Sequence, residues 1–372
     1  PYTTLFRSGE VIILAATSGD TGKAALEGFK NVEGTKVAVF YPEGGVSQIQ
    51  EAQMVTQEGK NTFVCAVRGN FDDAQTGVKN IFANKKINEE MSAKNKLLSS
   101  ANSINIGRLA PQVVYYFYSY MKLIEKGALK IGEKVNFAVP TGNFGNILAG
   151  YYAKILGLPI NKLICASNEN NVLYDFIKSG VYDKNREFHK TISPSMDILV
   201  SSNLERLLYY LSDKDNQRVM GLMEKLNSEG KYEISSDMLE KLNKDFYGGC
   251  VFKDEVLNTI YNTFEKYGYL LDTHTSVAYK ALEDYRTSTG DSTVSLVLST
   301  ASPYKFSKSV YESLYGKSAG DEFEIMEELS QKTKVDIPQN LKNLRSKEIR
   351  HREVCNINEM ESYVKYVSNK SI

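Results

Sequence analysis

The amino-acid sequence predicts an α/β fold built on open, mostly parallel sheets. In the first third of the chain, the apolar runs VIILAA, KVAVFYP and NTFVCAVRG alternate with segments that favour helices. Strand and helix in alternation at this spacing are typical of parallel sheets with helical crossovers. The same order of strand, glycine turn and helix returns in VNFAVPTGNFGNILAGYYAKILG and again, with hydroxyl residues at the turn, in TVSLVLSTASPYKFSKSV. The pattern therefore extends over most of the chain.

The length of 372 residues, 42% of them hydrophobic, is sufficient for two domains. We expect residues 9–110 to form a smaller α/β domain and residues 111–372 to form a larger one. Within the larger domain, residues 182–254 are charged and helix-prone, which predicts a helical insertion, and the C-terminal tail from Glu322 is also predicted to be helical.

The first eight residues, PYTTLFRS, contain no initiator methionine and look like the translation of a sequencing adapter. We expect residues 1–8 to be a non-native leader and the smaller domain to lack its natural N-terminal part. Fold and function are therefore inferred from the sequence that follows this segment.

Composition excludes several classes of partner. Lysine plus arginine and aspartate plus glutamate are balanced at 45 each, so we expect no nucleic-acid partner and no membrane surface. No apolar run has the length of a bilayer crossing and no signal peptide is visible, which favours a cytoplasmic protein. The 4 cysteines and 3 histidines are scattered without a metal-ligand spacing, so no metal site is expected. The aromatic helix within Gln112–Leu129 lacks interleaved basic residues and is expected to be buried.

The first strand-to-helix corner, TSGDTG, is a candidate anion site. Backbone N–H groups in the first turn of a helix have no partner within the helix and bind anions. The spacing of a nucleotide-binding P-loop is absent, because Thr17 replaces its first glycine and Ala24 its magnesium-binding hydroxyl. A structural helix cap by Ser18, Asp20 or Thr21 remains the alternative for this loop.

A second glycine-rich corner strengthens the anion-site hypothesis. It consists of Gly142, Asn143, Phe144, Gly145 and Asn146, between a strand and a helix. Glycines allow the backbone to approach an anion closely, and the loop contains no acidic side chain. It does not match the dinucleotide pattern G-x-G-x-x-G, so a nicotinamide cofactor is disfavoured. A plain turn remains possible.

Two further polar clusters could bind a ligand. Thr300 and Ser302 follow the strand VSLVLS, and ligands of open α/β sheets bind at the carboxyl ends of strands. In NSINIGR, Asn102, Ser103 and Arg108 form a possible phosphate or carboxylate clamp. The alternative for this second cluster is a polar helix start with a surface arginine.

The motifs ATSGDTG, YPEGGVSQIQEAQM, NSINIGRLAPQ, PTGNFGN, DTHTSVA, STASPYKF and EIRHREVC, in this order, resemble the threonine synthase family. The resemblance covers nearly the whole chain after residue 8. It implies the fold-type-II architecture of pyridoxal-phosphate enzymes, which is similar to that of the tryptophan synthase β subunit. It also implies pyridoxal 5'-phosphate (PLP) as cofactor and a carbon–oxygen lyase that converts O-phospho-L-homoserine and water to L-threonine and phosphate. The expected assembly is a monomer or homodimer.

The resemblance assigns residues to the cofactor. They are Gly142, Asn143, Phe144, Gly145, Asn146, Thr300 and Asp20. The glycine-rich loop is expected to hold the cofactor phosphate, and the Thr300 hydroxyl to bond the pyridine nitrogen. Related enzymes have an asparagine at the position of Asp20 that faces the cofactor hydroxyl. We expect the Asp20 carboxylate to turn away and brace its loop.

The resemblance also assigns residues to the substrate. They are Thr17, Ser18, Gly19, Thr21, Gly22, Asn102, Ser103 and Arg108. The TSGDTG loop is expected to receive the α-carboxylate, and the NSINIGR cluster the phosphate of the substrate. His274 is expected to be a structural residue near the site. Ser302 departs from many relatives, which have a histidine there.

No catalytic residue is assigned within the sequence. In the family, the lysine that attaches the cofactor and shuttles protons lies upstream of ATSGDTG, and Lys23 does not match it. We therefore expect the chain as given to be inactive. Two other functions stay open: a non-catalytic ligand-binding protein of the same descent, and another fold-type-II lyase such as a serine or threonine dehydratase. The NSINIGR cluster argues against a dehydratase, whose substrate has no distal phosphate.

Overall fold

The computed structural model describes residues 9–17 and 19–371, which form two compact units. The first comprises the described residues of Pro1–Asn105 and Ala319–Ile372, and the second is Ile106–Ser318. The predicted leader, residues 1–8, and Ser18 lie outside the described residues.

Strands and helices alternate along most of the chain, as the sequence predicted. The strands are β1 (Glu10–Ala16), β2 (Thr35–Pro42), β3 (Thr62–Arg68), β4 (Lys96–Ser100), β5 (Val135–Pro140), β6 (Ile160–Ser167), β7 (Val181–Asp183), β8 (Lys231–Glu233), β9 (Phe246–Cys250), β10 (Ser295–Val297) and β11 (Glu353–Asn356). The helices are α1 (Asp20–Phe29), α2 (Gln48–Val55), α3 (Phe71–Ala83), α4 (Lys85–Ala93), α5 (Ile106–Leu109), α6 (Val113–Glu125), α7 (Gly145–Ile155), α8 (Val172–Ser179), α9 (Leu204–Leu211), α10 (Asn216–Ser228), α11 (Ser236–Asp245), α12 (Lys253–Tyr267), α13 (Thr273–Thr289), α14 (Ser307–Tyr315), α15 (Glu322–Thr333) and α16 (Met360–Asn369).

The first unit is built on a parallel sheet in the order β11-β3-β2-β1-β4. Its central strands β1 and β2 are buried along almost their whole length because both faces of the sheet are covered. Alternate residues of β1 point to opposite faces: Ile12 and Leu14 join one apolar cluster, and Val11 and Ile13 join the other. The carboxyl end of β1 leads directly into the TSGDTG loop.

The C-terminal tail belongs to the first unit, whereas the sequence-based division placed it with residues 111–372. The physical reason is strand pairing: β11 extends the sheet by pairing in parallel with β3. Just before β11, the backbone amides of Arg350 and His351 donate to the carbonyl oxygen of Val55, at 2.8 and 3.1 Å. The tail is therefore part of the sheet that carries the first loop.

Lys36 of β2 attaches the last helix to this sheet. Its side chain is 2% exposed, and its ammonium lies 3.0 Å from the Glu10 carboxylate. The ammonium also donates to the carbonyl oxygens of Ser368 and Lys370, at 2.9 and 2.6 Å. Lys96 also contacts the Glu10 carboxylate and the Ser368 carbonyl, so the Lys370 carbonyl is the acceptor that depends on Lys36 alone among the described donors. A buried ammonium with these acceptors stabilises the attachment of the helix.

We expect Lys36→Met to lower the free energy of unfolding by about 2 kcal/mol, because the Lys370 carbonyl loses its donor and the Glu10 carboxylate and the Ser368 carbonyl keep only Lys96. The midpoint of urea unfolding measures the effect. The control is Lys60→Met, which removes an exposed lysine and should change the midpoint little. Equal shifts for the two variants would contradict this account.

The second unit is built on a parallel sheet in the order β10-β5-β6-β9, and β7 and β8 form a separate antiparallel pair. β9 lies inside the segment 182–254, for which the sequence predicted a helical insertion, but it pairs with β6 as an edge strand. Because β5 and β10 are parallel neighbours, their carboxyl ends meet at one edge of the sheet. This edge carries the second glycine loop and the segment around Thr300.

The prediction that the aromatic helix is buried was wrong for one face of α6. Tyr116 is buried and packs against Phe137, with ring centroids 4.7 Å apart. Tyr115, Tyr118 and Met121 are 55–63% exposed and lie on the opposite side. When apolar residues surround a helix on all sides, the sequence does not show which face packs against other elements.

Candidate ligand-binding site

The corner between β5 and α7 has the geometry of an anion cradle. Phe144 has a left-handed backbone with φ of 62°, and α7 begins at Gly145. A residue other than glycine in this conformation is uncommon and is often found at functional sites. The sequence and the structure thus agree on a sharp strand-to-helix turn.

The hydrogen bonds around the corner hold its carbonyl groups. Ser201 Oγ donates to the carbonyl oxygen of Gly142, and Asn203 Nδ2 donates to that of Asn143, both at 2.8 Å. No acceptor among the described residues bonds the backbone amides of residues 142–146. Because much of this backbone is buried, unpaired amides are costly unless an anion binds them.

Gly142 lies where no side chain fits. A Cβ added to it would stand 2.7 Å from the carbonyl oxygen of Ser195 and 3.2 Å from the Cα of Met196. Both atoms belong to backbone, which cannot turn away as a flexible side chain can. The loop is therefore packed tightly on the segment that contains Ser195 and Met196.

The segment around Ser195 is held in turn by His274. The backbone amide of Ser195 donates to His274 Nε2 at 3.1 Å. Because an amide can only donate, Nε2 is the unprotonated nitrogen, and Nδ1 carries the proton toward Asp272 Oδ1, 3.2 Å away. Burial alone would raise the pKa of the Asp272 carboxyl, but hydrogen bonds from His274 and Thr275 outweigh it and lower the pKa. His274 is thus a structural acceptor in this unit, as the sequence predicted.

Thr300 and Asn146, the last residue of the glycine loop, line one cavity. Thr300 and Asn146, together with residues of α6 and β10, line a space of about 470 Å³. Thr300 is exposed, and its backbone amide donates to Thr275 Oγ1 at 3.4 Å. Two of the residues that the sequence assigned to the cofactor, Asn146 and Thr300, thus line the same cavity.

In the first unit, the side chain of Thr17 forms hydrogen bonds within the TSGDTG loop. Its hydroxyl oxygen accepts hydrogen bonds from the amides of Gly19 and Gly22, both at 2.9 Å, and the residue is 1% exposed. Thr17, predicted to contact the substrate, holds the loop through its hydroxyl, and those two amides have an acceptor within the protein. The amide of Thr21, at the start of α1, is the candidate carboxylate seat.

Gln50 of α2 supports this loop, and sequence reasoning missed it. Its side-chain amide donates to Asp20 Oδ1 at 3.0 Å, and the residue is buried. A Cβ on Gly19 would lie 2.4 Å from the same amide group. The Asp20 carboxylate thus contacts α2, which fits the bracing role expected from the sequence. The glutamine-rich segment QIQEAQM was the available signal, since buried glutamines need polar partners.

The NSINIGR motif does not act as one cluster within one unit. Asn102 donates to the carbonyl oxygen of Ala16 at 2.8 Å and accepts from its amide at 3.2 Å. The side chain thus continues the hydrogen bonding at the end of β1. The boundary between the units falls after Asn105, and Arg108 lies in the second unit. Burial lowers the pKa of the Arg108 guanidinium.

The described residues contain no group of three or more histidine, cysteine or acidic side chains that could hold a metal ion. Within residues 9–17 and 19–371, no helix is both long enough and apolar enough to span a bilayer.

The fold is that of the fold-type-II class of pyridoxal-phosphate enzymes. The chain aligns with the crystal structure of PLP-bound threonine synthase from Brucella melitensis with a TM-score of 0.83 and 36% identity, covering 99% of this chain and 73% of that one. The family model described as threonine synthase, C-terminal, matches residues 275–367. The chain belongs to the threonine synthase family.

Two curated relatives define the extent of the match. Threonine synthase-like 1 from Homo sapiens is 42% identical over 311 residues, which cover 82% of this chain and 41% of that protein. Threonine synthase from Saccharomyces cerevisiae is 39% identical over 323 residues, which cover 83% of this chain and 61% of that protein. The chain thus matches less than two thirds of the length of either relative.

Proposed function

We propose that the protein binds PLP and, in its full-length form, catalyses the conversion of O-phospho-L-homoserine and water to L-threonine and phosphate. This is the reaction of a carbon–oxygen lyase acting on phosphates. The observation that carries the proposal is the set of backbone amides at residues 142–146 that no acceptor among the described residues bonds. Asn146, the last residue of this set, lines a cavity together with Thr300. Membership of the threonine synthase family and the PLP-bound relative support it.

The residues of the second unit fit the cofactor. Amides at a helix N-terminus are suited to its phosphate, and the Gly142–Asn146 loop contains no acidic side chain. Thr300, which lines the same cavity as Asn146, offers a neutral hydroxyl to the pyridine nitrogen. The chemistry that PLP supplies when bound is electron withdrawal from the α-carbon of an amino acid.

The chain's own polar groups would bind and orient the substrate. The start of α1, with the amide of Thr21, offers the positive end of the helix dipole to the α-carboxylate, and Gln50 donates a hydrogen bond to the Asp20 carboxylate. We assign Arg108, of the second unit, to the substrate phosphate. A guanidinium there stabilises the negative charge that grows on the phosphate as it leaves.

We also infer a monomer or homodimer in the cytoplasm. The 4 scattered cysteines suit a reducing compartment, and the formal net charge of zero gives no attraction to nucleic acid or anionic lipid.

A second candidate is a related protein that binds the cofactor without carrying out this reaction. The observation that favours it is the 42% identity to human threonine synthase-like 1, whose name marks it as a relative of the enzyme.

The test uses the full-length protein purified from its source gene and loaded with PLP. We expect inorganic phosphate to be released from O-phospho-L-homoserine in equal amounts with threonine, and no 2-oxo acid to form from L-serine or L-threonine. Stoichiometric PLP without phosphate release would favour the second candidate. A 2-oxo acid formed from L-threonine would indicate a dehydratase instead.

A further inference from the structure

Asp272 is the buried N-cap of α13 and the only acidic side chain in its hydrogen-bond network, among the described residues. The residue is 1% exposed, and Oδ1 accepts from the backbone amides of His274 and Thr275, at 2.8 and 3.2 Å. An N-cap aspartate ordinarily satisfies these amides and nothing more. Here the same carboxylate accepts two side-chain donors as well, His274 Nδ1 and Thr275 Oγ1.

One of these side chains leads to the glycine loop. With Nδ1 donating to Asp272, His274 presents Nε2 as an acceptor to the Ser195 amide, 3.1 Å away. The carbonyl of Ser195 lies against Gly142, where an added Cβ would be only 2.7 Å from it. The ring of His274 is fixed further by Phe306, with centroids 4.7 Å apart. Asp272 thus sets the tautomer of the histidine on which the floor of the cradle rests.

The other side chain leads to Thr300. Because the Thr275 hydroxyl donates its proton to Asp272 Oδ2, its lone pairs are left to accept from the Thr300 amide, at 3.4 Å. Thr275 is 3% exposed, so water does not compete freely for this hydroxyl. The backbone of the residue assigned to the pyridine nitrogen is therefore tied to the same carboxylate.

We infer that Asp272 is a positioning residue that fixes both ends of the cofactor site at once, the phosphate cradle through His274 and Ser195 and the ring contact through Thr275 and Thr300. The inference rests on the proposed binding of PLP to this unit. In this account the DTHTSVA motif sets the distance between the Gly142 loop and Thr300. The Asp272 carboxylate does so through the adjacent side chains of His274 and Thr275. If Asp272 only stabilised α13 as an N-cap, loss of its bond to His274 and loss of its bond to Thr275 would not affect phosphate binding and the ring contact separately.

The two routes can be tested independently in the full-length protein. Thr275→Val removes the hydroxyl at nearly constant shape, so we expect about tenfold weaker PLP binding and an altered absorbance spectrum of the bound cofactor. The affinity of the Thr275→Val protein for inorganic phosphate, which probes the glycine loop alone, should stay unchanged. Thr275→Ser keeps the hydroxyl and should restore PLP affinity and spectrum.

His274→Phe should show the converse, with about tenfold weaker binding of inorganic phosphate, because the Ser195 amide loses its acceptor. His274→Gln, which retains an oxygen acceptor, should recover part of that affinity. If Thr275→Val and Thr275→Ser behave alike, or if both routes change phosphate affinity equally, the inference is wrong. Wild-type protein that binds no PLP would overturn the proposed function, and this inference with it, whereas wild-type binding with unaltered variants would overturn the inference alone.

Discussion

Replacement of Gly142 by alanine should nearly abolish PLP binding, with a loss of affinity of about a hundredfold. The added methyl group would stand 2.7 Å from the carbonyl oxygen of Ser195 and 3.2 Å from the Cα of Met196. Overpacking against backbone costs about 1–3 kcal/mol, and the loop can relieve it only by turning its amides out of the cradle. Each lost hydrogen bond to a phosphate adds about 1.5–3 kcal/mol. Equilibrium titration with PLP, followed by absorbance, measures the effect.

The matched control is Gly221→Ala in α10 of the same unit. Nothing lies within 4 Å of a Cβ at this position, and alanine favours a helix over glycine. This variant should keep wild-type affinity for PLP and unfold at slightly higher urea concentration. Wild-type affinity in Gly142→Ala would show that the cofactor phosphate does not bind in this loop.

Replacement of Arg108 by alanine should raise KM for O-phospho-L-homoserine by about a hundredfold while PLP affinity stays unchanged. The side chain is half-buried, and burial already lowers the pKa of its guanidinium. A partly desolvated arginine interacts with phosphate more strongly than one in water, because the surrounding dielectric is lower. Steady-state kinetics of phosphate release with the full-length protein, alongside PLP titration, provide both readouts.

Two further variants separate charge, geometry and general damage. Arg108→Lys keeps the positive charge but loses the forked donor geometry, so its KM should fall between those of wild type and Arg108→Ala. Arg286→Ala removes an exposed arginine of the same unit and should change neither KM nor PLP affinity. Loss of PLP binding in Arg108→Ala would place this arginine in the cofactor site instead.

The features that were predictable from the sequence are local ones. The strand β1, the turn after β5 and the helix that begins at Gly145 each follow from a short run of residues. An apolar strand, a glycine turn and a helix start leave backbone amides exposed to a ligand whatever the rest of the chain does. The glycine-rich corner between β5 and α7 could therefore be predicted from local sequence alone.

The features that were missed depend on contacts between distant parts of the chain. His274 accepts from Ser195, 79 positions away, and Asn102 bonds Ala16, 86 positions away. A hydroxyl or amide side chain looks the same in the sequence whether it faces a ligand or braces a loop, because its geometry is set by the neighbours that folding supplies. For this reason the sequence did not reveal that the Asn102 side chain bonds the backbone of Ala16 at the end of β1.

The tail shows the same limitation at the level of whole elements. β11 has only four residues, Glu353–Asn356, and its surroundings in EIRHREVC are charged. Nothing in such a segment indicates an edge strand until β3 is there to pair with it. Strand pairing, and not local propensity, places the tail in the first unit.

A crystal structure of the full-length protein with PLP tests the central claim most directly. We predict that the cofactor phosphate accepts hydrogen bonds from the backbone amides of Gly142–Asn146 and that the pyridine nitrogen faces the Thr300 hydroxyl. Electron density for the phosphate at any other place, with those amides bonded to water or to protein, would contradict the account.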